Sequence, residues 1–212
     1  MQIAFVRHGQ TAANAKHHHQ VPDEPLTAAG VAQVQESIPE LKAWQPTLII
    51  SSPLGRARHS AHIIGDALAC PVAVRDEFRE LRRPLSLYGK HHLGFSSAWY
   101  IVKWFFRPFV HINTVTEGES YPAFLRRLER ARSILEQYPE DARIVIVSHS
   151  IFINFFTFHV CSMKRMSFLQ AVPRFLKVLT HRNARVTYLS YSPADDAAAC
   201  SWHEPGGEQS SN

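Results

Sequence analysis

Apolar positions along the chain fall into two periods. Short β-branched runs at Ile3–Val6, Leu48–Ser51, Val72–Val74 and Ile144–Val147 read as buried strands, and Arg185–Tyr191 alternates in period two as a late strand. Between them the spacing lengthens to that of a helix. Thr27 stands as an N-cap for a helix running towards Trp44, with Pro39 shortening or kinking it, and Gly55–Leu68 is a second helix. Ser120–Tyr138 carries the clearest stripe, Phe124, Leu128, Ala131, Leu135 and Tyr138. Arg126, Arg127, Arg130 and Arg132 lie mostly off that stripe and read as solvated. Ile151–Val160 reads as a buried helix. Strands alternating with helices predict an α/β fold: a three-layer α/β/α sandwich with a mostly parallel central sheet.

Residues 84–118 break this rhythm. Seven of the chain's 23 aromatic residues lie between Phe95 and Phe109, and a helix there would place Lys103 and Arg107 one turn apart on one face. The stretch reads as an inserted, aromatic-rich cap. Three roles stay open for it: a lid over a site, an insertion packed into the core, or a membrane-contacting surface. The organisation is then a single α/β domain over residues 1–192 and, from 193 to 212, a flexible C-terminal tail rich in Ala, Ser, Gly and acid.

Composition narrows the class. With 212 residues, 45% hydrophobic and 19% charged, the chain can bury a full core, which excludes wholesale disorder. The net charge is +5, but four of the 18 acids and none of the 23 bases fall after residue 192, so the body is more basic than the whole. A basic body points to an anionic partner without choosing among phosphate esters, nucleic acid and acidic membrane. Cys70, Cys161 and Cys200 have neither disulfide-framework nor zinc spacing, which points to a reducing compartment and a cytoplasmic protein. The N-terminal residues lack a signal-peptide pattern, and no run of 18 uncharged apolar residues is present to span a membrane.

Candidate chemistry sits at strand ends, where open α/β sheets bind ligands. His8 follows the first strand, preceded by Arg7, and His149 follows the fourth in Val147-Ser148-His149-Ser150. Arg56 opens a helix after another strand end, in Ser52-Pro53-Leu54-Gly55-Arg56. Two guanidiniums can bind a phosphomonoester dianion bidentately and stay charged at any working pH. A neutral imidazole beside them can attack phosphorus, and a second can hold an oxygen as charge spreads. A carboxylic acid must then protonate the leaving oxygen and activate water.

These residues resemble the histidine phosphatase superfamily, the phosphoglycerate-mutase-like proteins. Arg7-His8-Gly9-Gln10-Thr11 with Asn14 is similar to the family's Arg-His-Gly signature, and Pro25-Leu26-Thr27-Ala28-Ala29-Gly30 to its Pro-Leu-Thr-x-x-Gly helix start. Ser52–Ala57 resembles the second-arginine motif, Phe78-Arg79-Glu80 the segment supplying the acid, Glu117–Ser120 the Gly-Glu-Ser stretch, and Val147-Ser148-His149 the second-histidine motif. The resemblance implies His8 as the nucleophile that becomes phosphohistidine. It also implies Arg7, Arg56 and His149 as the rest of the phosphate pocket, Glu80 as proton donor and Asn14 as a phosphate contact. The chain departs from the family at Ser150, often Gly, at Gln10, usually Glu, and at Leu81-Arg82-Arg83-Pro84, which places two extra cations where the rest of a substrate would lie. Ser150, Arg82 and Arg83 are therefore further substrate-binding candidates. For Glu80 the plain alternative is a surface carboxylate paired with Arg79 or Arg83.

The expected activity is that of a phosphoric monoester hydrolase of histidine acid phosphatase type, metal-independent and needing no cofactor. A phosphoglycerate mutase and a non-catalytic phospho-ligand module are the alternatives. The expected partner is a small phosphorylated substrate, with no nucleic acid and no stable membrane insertion, and a homodimer stays open. His17-His18-His19 reads as a solvated loop near the pocket mouth rather than a metal site, since adjacent histidines cannot all face one ion.

Overall fold

A computed structural model describes residues 1–106, 118–162, 169–170, 183–191 and 202–203. The elements in chain order are β1 (Gln2–Arg7), α1 (Ala12–Ala15), α2 (Ala28–Trp44), β2 (Leu48–Ser51), α3 (Gly55–Leu68), β3 (Val72–Val74), α4 (Phe95–Phe106), α5 (Tyr121–Leu135), β4 (Arg143–Ser148), α6 (Ser150–Ser162), β5 (Val186–Tyr191) and β6 (Trp202–His203). The six strands form one sheet in the order β3-β2-β4-β1-β5-β6. β3, β2, β4 and β1 run parallel, and β5 and β6 continue the sheet antiparallel.

The period-two alternation in β1 divides the core. Ile3 and Phe5 face one side with Phe124 and Leu128 of α5 and Phe152 and Phe156 of α6. Ala4 and Val6 face the other with Val34 and Leu41 of α2 and Ala57, Ala61 and Ile64 of α3. Helices on both faces of this mostly parallel sheet give the three layers expected. The caps follow the sequence: Thr27 accepts from Gly30 N at 3.0 Å and Ser120 from Ala123 N at 3.4 Å. Pro39 lies within α2, which continues to Trp44.

Four regions differ from the sequence reading. Arg127 is buried, not solvated: it ion-pairs with Glu119 at 2.6 Å, and its Nη1 donates to the carbonyls of Glu77 and Arg79 at 2.9 and 2.6 Å. Removing one partner of such a pair strands a buried charge, at about 3–5 kcal/mol. The aromatic cap divides between two environments. Trp104 is buried against Tyr121, Phe124 and Phe155, and its indole N–H donates to Glu119 O at 2.9 Å. Phe95 and Trp99 are exposed at 85% and 51%, so among the described residues this second group is the one available as a lid. Trp202 and His203, within the stretch read as a flexible tail, pair with Tyr191 and Ser190, and Trp202 enters the core beside Phe156. His19 of the triple-histidine loop is also buried. Arg107, Glu117 and the other tail positions fall outside the described residues.

Candidate active site

Three adjacent parallel strands end at one level. The register pairs Arg7 with Ser148 and Ser51 with Val147, so the next residues along each strand emerge side by side: His8, His149 and Ser52. The ladder carries on past the strand ends, with His8 N donating to Ser148 O at 3.1 Å and Ser52 N to Val147 O at 3.0 Å. The two imidazoles then lie 5.0 Å apart between centroids.

Backbone packing explains the glycines and the Pro-Leu-Thr motif. Thr27 N donates to Gln10 O at 2.9 Å, which draws the start of α2 against the loop carrying His8. A Cβ at Gly9 would meet the carbonyl of Gly30, and one at Gly30 would meet the backbone of Gln10. Both positions allow a backbone-to-backbone contact that holds the His8 loop in place.

Each imidazole is set by its partners. His8 Nδ1 lies 2.7 Å from Gly9 O, so that nitrogen carries the proton, and Nε2 accepts from Arg56 Nε at 3.3 Å. Burial, then the charges of Arg56 and Arg7, holds His8 well below the usual histidine range, against the Gly9 hydrogen bond. His149 is lowered in the same way by burial, Arg56, His8 and Arg7. Its Nε2 sits 2.8 Å from Ser52 Oγ. That hydroxyl accepts from Leu54 N at 3.3 Å and has its one proton free to donate to Nε2, the arrangement that suits a neutral ring aimed at an oxyanion. A neutral His149 then carries its proton on Nδ1, a buried atom without a hydrogen-bond partner among the described residues.

Arg7 and Arg56 are buried beside this pair. Burial lowers each to about 10, opposed by the Glu80 charge, so both stay cationic at neutral pH. Arg56 lies in the first turn of α3, where the helix dipole disfavours a cation. The carbonyls of Val21 and Pro22 offset this by accepting from its Nη1 at 3.0 and 3.2 Å.

Glu80 is buried and faces the start of α6 rather than a surface arginine. Its Oε1 accepts from Leu81 N and Phe152 N at 2.9 and 3.1 Å, and Oε2 from Ile151 N at 3.3 Å. The Ile151 and Phe152 amides are ones that the start of α6 would otherwise offer to a phosphate. Arg127 anchors the same segment through the Glu77 and Arg79 carbonyls.

The other candidates take separate places. Asn14 is half-buried on α1, with its backbone N–H donating to Thr11 Oγ1 at 3.3 Å. Ser150 is buried at the first position of α6, directly after His149. Arg82 turns outward to Asp76 at 3.0 Å, whereas the Arg83 charge acts on both Arg56 and His149. Ser52 and Arg127 were not among the sequence candidates for the site. The position of Ser52 beside a strand end was the available signal; Arg127 had none, because its partners are carbonyls distant in sequence.

The triple-histidine loop has its own chemistry. His19 Nε2 lies 2.8 Å from Ser97 Oγ of α4, and its ring stacks on His92 at 4.5 Å. Among the described residues no three His, Cys, Asp or Glu side chains are grouped to hold a metal ion. No helix among them is long and apolar enough to cross a membrane.

Comparison with known proteins gives a consistent result. The family model of the histidine phosphatase superfamily (branch 1) matches residues 3–198. "Probable phosphoglycerate mutase GpmB" of Escherichia coli O139:H28 is 34% identical over 155 residues, 71% of this chain and 70% of that protein. The alpha-ribazole phosphatase structure from Shigella flexneri superposes with a TM-score of 0.70 at 25% identity, covering 91% of this chain and 92% of that one. The mycobacterial glucosyl-3-phosphoglycerate phosphatase, solved with VO3, shares the fold with a TM-score of 0.69 at 22% identity over 96% and 97% of the two chains.

Proposed function

The chain belongs to the histidine phosphatase superfamily, and from that premise we propose that it hydrolyses phosphomonoesters through a phosphohistidine on His8. The observation that carries the reading is the state of His8: neutral, its Nδ1 proton held by Gly9 O, and its Nε2 lone pair turned towards Arg56 with His149 alongside. Arg7 and Arg56 hold the phosphoryl oxygens, and His149 donates from Nδ1 to a third oxygen as charge builds. The Nε2 lone pair forms the N–P bond while the bond from phosphorus to the ester oxygen breaks. The departing oxygen takes a proton from the Glu80 carboxyl. Water then attacks phosphorus, Glu80 accepts its proton, the N–P bond breaks and inorganic phosphate leaves. The Gly9 carbonyl stabilises the positive charge that the ring carries in the intermediate.

Wild-type protein incubated with 32P-labelled phosphoester and trapped by denaturation should carry acid-labile, base-stable phosphate on His8. Full hydrolytic activity in His8→Ala would overturn the proposal.

A second reading, phosphoglycerate mutase-type transfer, is favoured by the 34% identity to the GpmB protein. A coupled assay with 3-phosphoglycerate separates the two. Release of inorganic phosphate without 2-phosphoglycerate supports hydrolysis.

A further inference from the structure

Gly9 lies between the two peptide groups on which the His8 ring depends. Its own carbonyl holds the Nδ1 proton at 2.7 Å and so keeps the Nε2 lone pair free. That carbonyl belongs to the planar Gly9–Gln10 peptide group, and the His8–Gly9 group adjoins it. Glycine is required here because any Cβ would meet the Gly30 carbonyl. Glycine also lets both peptide groups turn more freely than any other residue would. A turned Gly9 carbonyl would release the ring proton to either nitrogen.

Three side chains oppose that rotation. The His8–Gly9 group is held at both ends: Asn183 Nδ2 donates to His8 O, and Gly9 N donates to Ser60 Oγ, each at 3.1 Å. Ser60 Oγ in turn donates to Arg56 O at 2.9 Å, which leaves a lone pair for Gly9 N. In the Gly9–Gln10 group, the end opposite the carbonyl is held by Gln33, whose Oε1 accepts from Gln10 N at 3.1 Å. Gln33 lies on α2 and Ser60 on α3, and Asn183 stands three residues before β5. With His8 N on Ser148 O and Thr27 N on Gln10 O, each backbone polar group from His8 to Gln10 has a partner within the protein. A loop that cradles phosphate with its backbone keeps its amides for the anion. Here the Gly9 and Gln10 amides are spent on Ser60 and Gln33, so the loop serves to aim the ring.

We propose that Gln33, Ser60 and Asn183 are positioning residues for the nucleophile: they clamp the peptide groups on either side of Gly9 and thereby fix which nitrogen of His8 attacks. The kinetic part of the test rests on the phosphatase reading, whereas the ring tautomer is read without turnover. In the wild type, 15N NMR of the His8 imidazole should show a protonated Nδ1 and an unprotonated Nε2. Gln33→Met removes the acceptor at a half-buried position, and it should draw the two signals together as the proton exchanges between nitrogens. In a single turnover with 32P-labelled phosphoester, its rate of His8 phosphorylation should fall about fivefold, the effect of one lost neutral hydrogen bond. Substrate affinity should be unchanged, because Arg7 and Arg56 still hold the phosphate. Gln33→Glu keeps an acceptor and should restore most of both readouts. Asn183→Ala frees the other peptide group and should move both in the same direction as Gln33→Met. A His8 tautomer unchanged in Gln33→Met and Asn183→Ala, a loss confined to substrate affinity, or a Gln33→Glu variant as impaired as Gln33→Met would overturn the clamp. Failure of the phosphatase reading itself shows separately, as absence of labelled phosphate on wild-type His8, and leaves the NMR comparison to decide the clamp.

Discussion

The two most closely spaced histidine pairs among the described residues serve different ends. His8 and His149 meet at 5.0 Å at the ends of β1 and β4, and His19 and His92 stack at 4.5 Å under α4. Burial lowers the proton affinity of all four. A neutral, buried imidazole is therefore no signature of catalysis by itself. The difference lies in the surroundings. The first pair is flanked by buried Arg7 and Arg56, with Glu80 close enough to oppose their depression, and His8 keeps a lone pair facing a cation. His19 instead spends Nε2 on Ser97, joining a loop to a helix.

The sharpest contrast between the pairs is kinetic. His8→Ala should lower kcat on the order of 10³-fold or more, because no other group can take the covalent role. His92→Ala, measured with the same substrate, should stay within about threefold, as expected away from the reacting atoms. Equal losses would erase the distinction. Glu80→Gln comes next, at about 10²–10⁴-fold with an alkyl phosphate, the range for a positioned general acid. With p-nitrophenyl phosphate, whose leaving group needs no proton, the loss in the first step should shrink sharply. The same loss for both esters would mean that Glu80 only supports the start of α6.

The first pair was legible in the sequence and the second was not, for a physical reason. His8 and His149 each follow a short β-branched run, and parallel strands brought into register must deliver the following residues to one place. Chain direction alone therefore locates them. His19 finds Ser97 across 78 residues of loop and helix, and no periodicity reports such a contact. Arg127 failed for a related reason. It lies just off the apolar stripe of α5, but the Glu77 and Arg79 carbonyls and Glu119 meet it there and make burial tolerable. Trp202 was misplaced because low-complexity sequence surrounds it, although two paired residues suffice to bring the indole into the core. Glu80 was legible as a position but not as an environment: the sequence offered arginine partners, and the fold supplied three backbone amides.

Ser52 tests the catalytic pair more finely. Its hydroxyl connects the end of β2 to His149 Nε2 at 2.8 Å, and as a donor there it leaves the ring proton on Nδ1. Ser52→Ala leaves Nε2 without that donor, so a neutral His149 can place its proton on the wrong side. Expected is a loss of about tenfold in kcat with little change in KM, since the interaction matters most as charge develops. Ser52→Thr, which keeps the hydroxyl, should recover most of it. A change confined to KM, or no rescue by threonine, would assign Ser52 to packing alone.

The smallest effect concerns the second pair and is read as stability. His19 is lowered to about 2 and His92 to about 4, chiefly by burial and then by the Arg83 charge. An unfolded chain takes up these protons near pH 6.5. Between pH 6.5 and 4 the unfolded state thus binds more protons than the folded state, and stability falls as the solution is acidified. The stabilising share of both rings is complete above pH 6.5. The share of His92 stops declining below about pH 4, while that of His19 declines further. His8 and His149 add to the same slope, so the pairs must be separated by substitution. His19→Gln should lower stability at pH 7.5 by about 1 kcal/mol, because it removes the imidazole that bonds Ser97 and stacks on His92. It should also make the decline from pH 6.5 to 4.5 shallower than in the parent. Urea unfolding at several pH values measures both quantities. A variant whose acid decline is as steep as the parent's would mean that His19 is protonated in the folded protein, and the likeness between the two pairs would end there.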